Sequence, residues 1–195
     1  MVGRMTGIRG VLAIIALVLF LAPRAGAATY ADLYNFQPGS ADGQHPLGSL
    51  IQSGSALYGM TNTGGNGDGT IFSFDLGSGS ENVDYDFGSY VGDGGSPHGS
   101  LSGSGSALYG LTFAGGSDDA GAIFTFNTLN NAADLLYSFG TSSEDGGGPL
   151  GSLIQSGTSF FGTAESGGVE NKGVIFSYSL SNGSESILHS FGVGT

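Results

Sequence analysis

The residues that could do chemistry in this chain recur at a fixed place instead of occurring once. Asp42, Asp93 and Asp145 each stand four residues before a proline, and each is followed by glycine. Carboxylates repeated in this way can bind a cation or flank a glycosidic bond. They can equally form Asp-Gly turns, in which the aspartate bonds its own backbone and the glycine takes φ > 0. Because catalytic residues are usually unique, the recurrence favours the turn, and we predict no catalytic residue.

A glycine doublet also recurs, as Gly64 and Gly65, Gly115 and Gly116, and Gly167 and Gly168. The loop after the first doublet nearly fits the calcium-binding pattern G-G-x-G-x-D, but its aspartate, Asp68, stands one place early. Ala120 and Lys172 occupy the equivalent position, so the three loops share no metal ligand. We therefore predict structural glycines and no cofactor, with calcium at Asp68 kept as an alternative. The doublets lead into strands and no Lys-Ser/Thr follows them, which excludes a phosphate-binding loop.

The histidines have no equivalent histidine in another repeat. His189 stands where the other repeats have tyrosine, so we interpret it as a packing substitute for an aromatic ring, and His45 and His98 align with other residue types. This excludes a histidine metal ring and argues against a Ser-His-Asp set. The chain contains no cysteine, which excludes a disulfide scaffold, a thiolate metal site and a cysteine nucleophile.

The elements that position these residues follow a period of 51 or 52 residues. A phenylalanine closes the same four-residue motif four times, at Phe36, Phe87, Phe139 and Phe191. Three tandem units follow from this spacing, approximately residues 37–87, 88–139 and 140–191, which we call units 1, 2 and 3. The motif before Phe36 predicts an extra N-terminal strand over residues 30–36. The whole repeat domain is predicted to cover residues 28–195.

Each unit contains four short strand candidates and no segment with helical spacing. In unit 1 the candidates are residues 48–53, 56–61, 70–75 and 83–87. The third candidate alternates Phe72 and Phe74 on one face with Ile71 and Ser73 on the other. Glycine, at 39 of 195 residues, would destabilise helices by about 1 kcal/mol each relative to alanine.

Such units predict an all-β fold, a β-propeller-like array of three four-stranded antiparallel repeats. Four strands in about 50 residues is the size of a propeller blade, including the kelch type. One sheet of this size is too small to be stable alone, so Phe72, Phe124 and Phe176 are predicted to pack between neighbouring sheets. Propellers have typically four to eight blades, so three units imply an incomplete or open array.

Residues 1–27 are predicted to be a secretory signal peptide. Arg4 and Arg9 precede an apolar run from Val11 to Ala22, and Ala25-Gly26-Ala27 fits the small-x-small cleavage pattern. The alternative is an uncleaved membrane anchor, although a spanning helix needs roughly 20 apolar residues. We expect the mature chain to be secreted or at the cell surface, with no membrane span after cleavage.

The charge of residues 28–195 excludes several partners. This stretch holds all sixteen acidic residues and one basic residue, Lys172, which gives a formal charge of −15. Nucleic-acid binding needs clustered Lys and Arg, and anionic membranes repel such a surface. The charge keeps the chain soluble by self-repulsion, and it also attracts cations and basic partners.

The recurring motifs resemble the GloVer tandem repeat. The resemblance rests on Leu57 to Thr61, Gly64-Gly65, Gly69 to Phe72, Leu136 to Phe139, and Asp42-Gly43 with Pro46, and it covers residues 30–192. It implies an exported bacterial protein with a propeller-like fold and no assigned activity, often anchored by a separate C-terminal sorting segment. The chain ends at Thr195 without such a segment, which favours secretion or truncation. Unit 3 also departs, with Phe161 in a tyrosine position and Glu170-Asn171-Lys172 in its loop.

Two classes of function remain open. The first is an exported, non-catalytic structural or interaction module that contacts an extracellular glycan, a protein or a second copy of itself. The second is a propeller-type carbohydrate-active enzyme that uses Asp42, Asp93 and Asp145. No unit holds a distinctive set of acid, base and arginine, which favours the first class. The sequence names no binding residue beyond the three aspartates.

Overall fold

The computed structural model describes residues 30–37, 42–90 and 92–192. In these ranges the chain forms fifteen β-strands and no helix. The predicted signal peptide, residues 1–27, lies outside the described residues. No helix in the described ranges is long and apolar enough to cross a membrane. The described residues from 33 onward belong to one compact body. Among residues 30–32, the Tyr30 hydroxyl donates a hydrogen bond to Asp32.

Unit 1 folds into an antiparallel sheet in which two short strands share one edge. Its strands are β1 (Gly43–Pro46), β2 (Ile51–Ser53), β3 (Ala56–Gly64), β4 (Thr70–Asp75) and β5 (Glu81–Asp86). The order is β1-β3-β4-β5, and β2 pairs with β3 on the edge that β1 also occupies. The predicted first strand, residues 48–53, is therefore shorter than expected, and a second short piece precedes it.

Units 2 and 3 repeat the four-stranded sheet. Unit 2 contains β6 (Gly94–Gly95), β7 (Ser102–Ser104), β8 (Ala107–Thr112), β9 (Ala114–Gly115), β10 (Ala122–Asn127) and β11 (Ala132–Ser138). Its main sheet has the order β11-β10-β8-β7, and β6 pairs with β9. Unit 3 contains β12 (Ile154–Ser156), β13 (Ser159–Ala164), β14 (Val174–Ser179) and β15 (Ser184–Ser190), in that order. The predicted fold class, an open, propeller-like all-β array, is confirmed.

The last strand of every unit contains a bulge, which changes the sheet face to which its side chains point. Ile71 pairs with Tyr85, whereas the next residue of β4, Phe72, pairs with Val83. The same register shift follows Ile123 in unit 2 and Ile175 in unit 3. One extra residue reverses which side chains point to which face. Tyr85 consequently shares a face with Ile71, and Val83 shares the opposite face with Phe72.

Two hydrophobic cores fill the spaces between the sheets of neighbouring units. We call the sheet face that contacts the next unit the forward face, and the sheet face that contacts the preceding unit the backward face. At the junction of units 1 and 2, the Phe87 and Phe124 rings meet edge to face with centroids 5.3 Å apart. Phe139 and Phe176 repeat this pair at 5.0 Å between units 2 and 3. Burying each such ring stabilises the fold by roughly 1.5–3 kcal/mol.

Neighbouring sheets contact each other through glycine and serine residues at the edges that carry their first strands. The Ser49 amide donates to Ser100 Oγ at 2.7 Å, and the Ser100 amide donates to Ser152 Oγ at 2.8 Å. The preceding glycines make this approach possible, because a Cβ on Gly48 would overlap the carbonyl of Gly99. A Cβ on Gly99 would overlap the carbonyl of Gly151 in the same way. Neighbouring units therefore approach each other backbone to backbone at this edge.

The predicted strand over residues 30–36 is wrong in one respect, because residues 30–37 lie outside any strand. The equivalent segments pair with the third strand of their own unit, and the described residues contain no such strand ahead of unit 1. Phe36 nevertheless packs as its counterparts do, edge to face on Phe72 with centroids 5.1 Å apart. Phe36 therefore covers the part of the backward face of unit 1 around Phe72 without sheet hydrogen bonds.

Candidate binding site at the junctions between units

Each recurring aspartate accepts a hydrogen bond from a tyrosine eight residues before it. The Tyr34 hydroxyl donates to Asp42 Oδ2 at 2.8 Å, and Tyr85 donates to Asp93 Oδ2 at 2.9 Å. Tyr137 donates to Asp145 Oδ2 at 3.0 Å. Each tyrosine follows the bulge or lies in its equivalent position, and each aspartate opens the next unit. We call these contacts the tyrosine–aspartate pairs.

The aspartates also hold the backbone around them. Asp93 Oδ1 accepts from the amide of Gly94, and Asp145 Oδ1 accepts from that of Gly146, both at 2.8 Å. The Thr141 amide and hydroxyl add two further bonds to Asp145 Oδ2, each at 3.0 Å. Asp145 is only 8% exposed. Local backbone capping, one half of the predicted turn, therefore occurs at Asp93 and Asp145.

The other half of that prediction, φ > 0 at the following glycine, is wrong. The positive φ falls two residues later, at His45, Ser96 and Gly148, with values of 57°, 51° and 59°. The glycine after the aspartate serves close packing instead. A Cβ on Gly94 would come 2.5 Å from Thr112 Cγ2, and one on Gly146 would come 3.0 Å from the Ala164 Cβ.

Sequence reasoning missed the tyrosines as partners of the aspartates. The signal was present, because the tyrosine and the aspartate recur at the same eight-residue spacing in all three cases. Burial, then the hydrogen bond to Asp93, raises the pKa of the Tyr85 phenol, and Asp134 adds to the shift. Burial is also the largest cause that raises the pKa of Tyr137 to about 12. These hydroxyls therefore stay protonated and act as donors at neutral pH.

One position beside the tyrosine–aspartate pairs holds glutamate in units 1 and 3 but alanine in unit 2. Glu81 pairs with Phe74, Ala133 with Phe126, and Glu185 with Tyr178, so the three are equivalent in register. Burial, followed by the charge of Asp145, raises the pKa of Glu185 to about 7. Burial and the charge of Asp42 likewise raise the pKa of Glu81. Glu185 Oε1 is buried and has no hydrogen-bond partner among the described residues.

Where alanine replaces the glutamate, a cleft of about 220 Å³ opens between units 1 and 2. We call it the Ala133 cleft. Its walls include the buried rings of Phe87 and Phe124, and its polar groups are Tyr85, Tyr90, Asp93 and Asp134. Tyr90 is 74% exposed, so its ring is available at the rim. The cleft thus combines aromatic surface with two carboxylates, and the predicted candidate Asp93 is one of them.

Each glycine doublet lies against the aspartate loop of its own unit. The first glycine of each doublet has a positive φ, and a Cβ there would press on the backbone of the aspartate loop, as at Gly115 against Asp93. The doublets thus hold the aspartate loops closely. Asp68 is exposed, and its carbonyl accepts the Ser96 amide at 2.7 Å. Calcium at Asp68 stays a prediction; in the described ranges no three His, Asp or Glu are grouped as metal ligands.

The histidines take part in packing and in local hydrogen bonds. The His189 and Phe191 rings meet at 4.9 Å and 83°, as the Tyr85 and Phe87 rings meet at 5.2 Å and 75°. His98 Nε2 lies 3.0 Å from Asn62 Nδ2 across the first junction. These contacts place His189 in the structural position of the tyrosines.

Comparison with known proteins identifies the repeat and a set of distant structures. The family model of the Gloeobacter/Verrucomicrobia repeat matches residues 18–195. No curated protein matches the chain. Among solved structures, TolB from Acinetobacter baumannii is 17% identical with a TM-score of 0.48, and a variant of the AtxE2 isopeptidase is 13% identical with a TM-score of 0.47. The matches cover 74% and 77% of this chain but only 32% and 21% of those chains.

Proposed function

The chain belongs to the Gloeobacter/Verrucomicrobia repeat family, and we propose that it is an exported, non-catalytic binding module, secreted or held at the cell surface. Its ligand is an extracellular glycan, and the binding site is the Ala133 cleft. The apolar run and small-x-small pattern in residues 1–27 support export. The repeated residues build the scaffold, and Ala133, which replaces the glutamate of the equivalent positions, creates the site.

The observation that carries the proposal is that hydrogen bonds within the protein already occupy the recurring aspartates. Asp93 and Asp145 each bind a tyrosine hydroxyl and cap the amide that follows them. Asp145 is 8% exposed and both of its oxygens accept hydrogen bonds, so it has little access to a substrate and we assign it a structural role. The same geometry at successive junctions supports a shared architectural role.

The chemistry of the Ala133 cleft suits a sugar ring. An exposed tyrosine offers an apolar face for the C–H face of a pyranose, and carboxylates accept hydrogen bonds from its hydroxyls. Tyr90 and Asp134 supply these groups at the rim. The acidic charge disfavours phosphorylated and sulfated ligands. A volume of about 220 Å³ is below that of pockets for drug-sized ligands, so we expect the cleft to hold one terminal residue of a longer glycan.

The test uses residues 28–195 with a panel of neutral methyl glycosides in ligand-observed NMR. We expect saturable binding of at least one glycoside and its loss in Ala133→Glu, which places in the cleft the residue type found at both equivalent positions. Glu185→Ala, the reverse exchange at the other junction, is the matched control and should keep the binding. Absence of binding across the panel, or binding that Ala133→Glu leaves intact, would contradict the proposal.

The second candidate function is a carbohydrate-active enzyme that uses Asp42, Asp93 and Asp145. One observation favours it: the charge of Asp145 helps to raise the pKa of Glu185 to about 7, and such a pair of carboxyl groups resembles a general acid and its partner. Against it, hydrogen bonds occupy both oxygens of Asp145. Turnover of nitrophenyl glycosides by residues 28–195, abolished in Asp145→Asn, would establish the enzyme and overturn the binding module.

A further inference from the structure

The forward face of unit 3 exposes groups that are buried at both internal junctions. Phe87 and Phe139 are 0% exposed, because each lies against the central phenylalanine of the next unit. Phe191, their equivalent, is 43% exposed. Ile154 is 71% exposed, whereas its equivalent Ile51 packs against the core of the first junction. Among the described residues, nothing covers this face.

The backward face of unit 1 shows the complementary exposure. Leu101 and Leu153 are 5% and 3% exposed, because each packs into the core of the junction with the preceding unit. Leu50, at the same position in unit 1, is 51% exposed. The two end faces thus carry the two halves of one contact that the molecule already makes twice, and on the backward face of unit 1 Phe72, 5% exposed, is covered by Phe36.

The polar groups of the junction are matched in the same way. Each internal junction joins a serine amide to the serine hydroxyl of the next unit, and the ends expose Ser152 and Ser49 for the same bond. The backbone approach is also open. The nearest atom to a Cβ on Gly151 would be Thr163 Oγ1 at 3.6 Å, whereas a Cβ on Gly99 would overlap the next unit.

We propose that a second copy of this chain docks end to end, with the forward face of unit 3 on the backward face of unit 1. Phe191 of one copy then lies against Phe72 of the other, as Phe87 lies against Phe124. Two such contacts, related by a two-fold axis, close two copies into a ring of six units. Six lies within the four to eight blades that propellers use, and closed symmetry limits the assembly to a dimer. The proposal is independent of the glycan site.

Residues 33–37 determine how readily the dimer forms, because Phe36 occupies the seat on Phe72 that Phe191 would take. The Phe36 ring holds the segment on Phe72, and both the Tyr34 hydroxyl and the Gln37 amide donate to Asp42 Oδ2, but the segment has no strand pairing. Phe36 is partly exposed, whereas Phe87 and Phe139 are fully buried. Docking exchanges the partly exposed Phe36 for Phe191, which directly follows the paired strand β15, and His189 then takes the place of Tyr34 beside Asp42.

The test is sedimentation velocity of residues 28–195 over a range of concentrations, with salt added to screen the charge of two acidic copies. We expect a concentration-dependent dimer. Phe36→Ala, which vacates the seat, should tighten association by about tenfold. Gly151→Ala should weaken it by about tenfold or more, because the added methyl overlaps the backbone of the partner, whereas in its own chain it makes only an ordinary contact with Thr163 Oγ1 at 3.6 Å.

Leu129→Ala is the control for non-specific association, since Leu129 is 82% exposed on unit 2 and lies outside both end faces. Circular dichroism and the melting temperature show whether each variant is folded. A monomer in wild type and Phe36→Ala at every concentration overturns the proposal, as does a dimer that folded Gly151→Ala leaves unchanged. Growth beyond the dimer overturns the closed ring. Loss of the dimer in Gly151→Ala but not in Leu129→Ala supports the proposal.

Discussion

The junction between units 1 and 2 and the junction between units 2 and 3 have the same construction but different contents. Both contain the phenylalanine pair, the serine contact and a tyrosine–aspartate pair. At the second junction Glu185 stands beside Asp145, which is 8% exposed. At the first junction Ala133 stands in that position, and a cleft of about 220 Å³ lies beside Asp93.

This difference shows how a repeat protein can open a cleft at one junction without altering its scaffold. Alanine in place of glutamate leaves an open volume beside the Tyr85–Asp93 pair. The backbone there does not depend on that side chain, because the bulge and the Gly94–Asp93 hydrogen bond hold it. The scaffold residues are therefore expected to behave alike at both junctions, and the residues at the variable position are expected to behave differently. The following predictions test that division.

The largest effect is expected from the phenylalanines that fill both junctions. Phe124→Ala and Phe176→Ala should each destabilise the chain by about 3–5 kcal/mol, because each removes a fully buried ring and leaves a cavity. Urea unfolding followed by circular dichroism measures both. Phe36→Ala, which removes a partly exposed ring, is the control and should cost much less. Unequal losses at the two junctions would show that their packing is not equivalent.

The next effect concerns the glycines at the first-strand edge. Gly99→Ala should destabilise the monomer by about 2–3 kcal/mol, because the new methyl overlaps the backbone of unit 3, which cannot move away freely. Gly151→Ala, its counterpart at the open face, should leave the monomer's stability within about 0.5 kcal/mol. Thermal melting at low protein concentration compares the two. Equal losses in both variants would contradict the backbone-contact explanation.

A smaller effect distinguishes the junctions by pH. The pKa of Glu185 in the folded chain, about 7, lies above its ordinary 4.5, so the folded state binds the proton more tightly than the unfolded state. Stability from this group is complete below pH 4.5 and is lost as the pH rises through 7. Because the side chain is partly exposed, we expect the loss to be about 1–2 kcal/mol.

Glu185→Gln tests this by removing the titration. Its unfolding free energy should decline less than that of wild type between pH 4.5 and 8, and the decline that remains comes from Glu81 and Asp84, whose pKa values are also raised by burial. Glu144→Gln, at an exposed residue of the same unit, should keep the wild-type decline. A wild-type decline that persists in Glu185→Gln would assign the titration to another group.

The smallest effect is expected from the tyrosine hydroxyls. Tyr85→Phe should cost about 1–2 kcal/mol, because Asp93 loses a donor to its Oδ2 atom. Tyr137→Phe should cost less, about 1 kcal/mol, because the Thr141 amide and hydroxyl still donate to the same oxygen of Asp145. Urea midpoints measure both, and a double variant with Thr141→Val should restore the larger cost. A larger loss in Tyr137→Phe than in Tyr85→Phe would contradict this order.

Much of the fold could be predicted from period and alternation. The predicted third strand of unit 1, residues 70–75, coincides with β4, because its alternating aromatic pattern has one interpretation. The first strand was less predictable. Residues 43–46 pair with the end of β3, which extends to Gly64, and neither the glycines nor the proline in these segments favours a strand.

The site was less predictable than the fold. The recurrence of the aspartates was visible, but seven residues separate each aspartate from the tyrosine that binds it, and the sequence does not determine the course of the chain between them. The Ala133 cleft depends on which residues face each other across the bulge. Alignment of the repeats alone cannot show that alanine, in place of glutamate, leaves an open volume there.

The backbone contact between successive glycines has an evolutionary consequence. Because every join uses the same glycine, serine and phenylalanine, a duplicated or deleted stretch of one full period brings matching surfaces together at once. Copy number can therefore change by recombination without new compensating mutations, whereas a partial period would separate Phe87 or Phe139 from its partner. Relatives are accordingly expected to differ in length by multiples of about 50 residues.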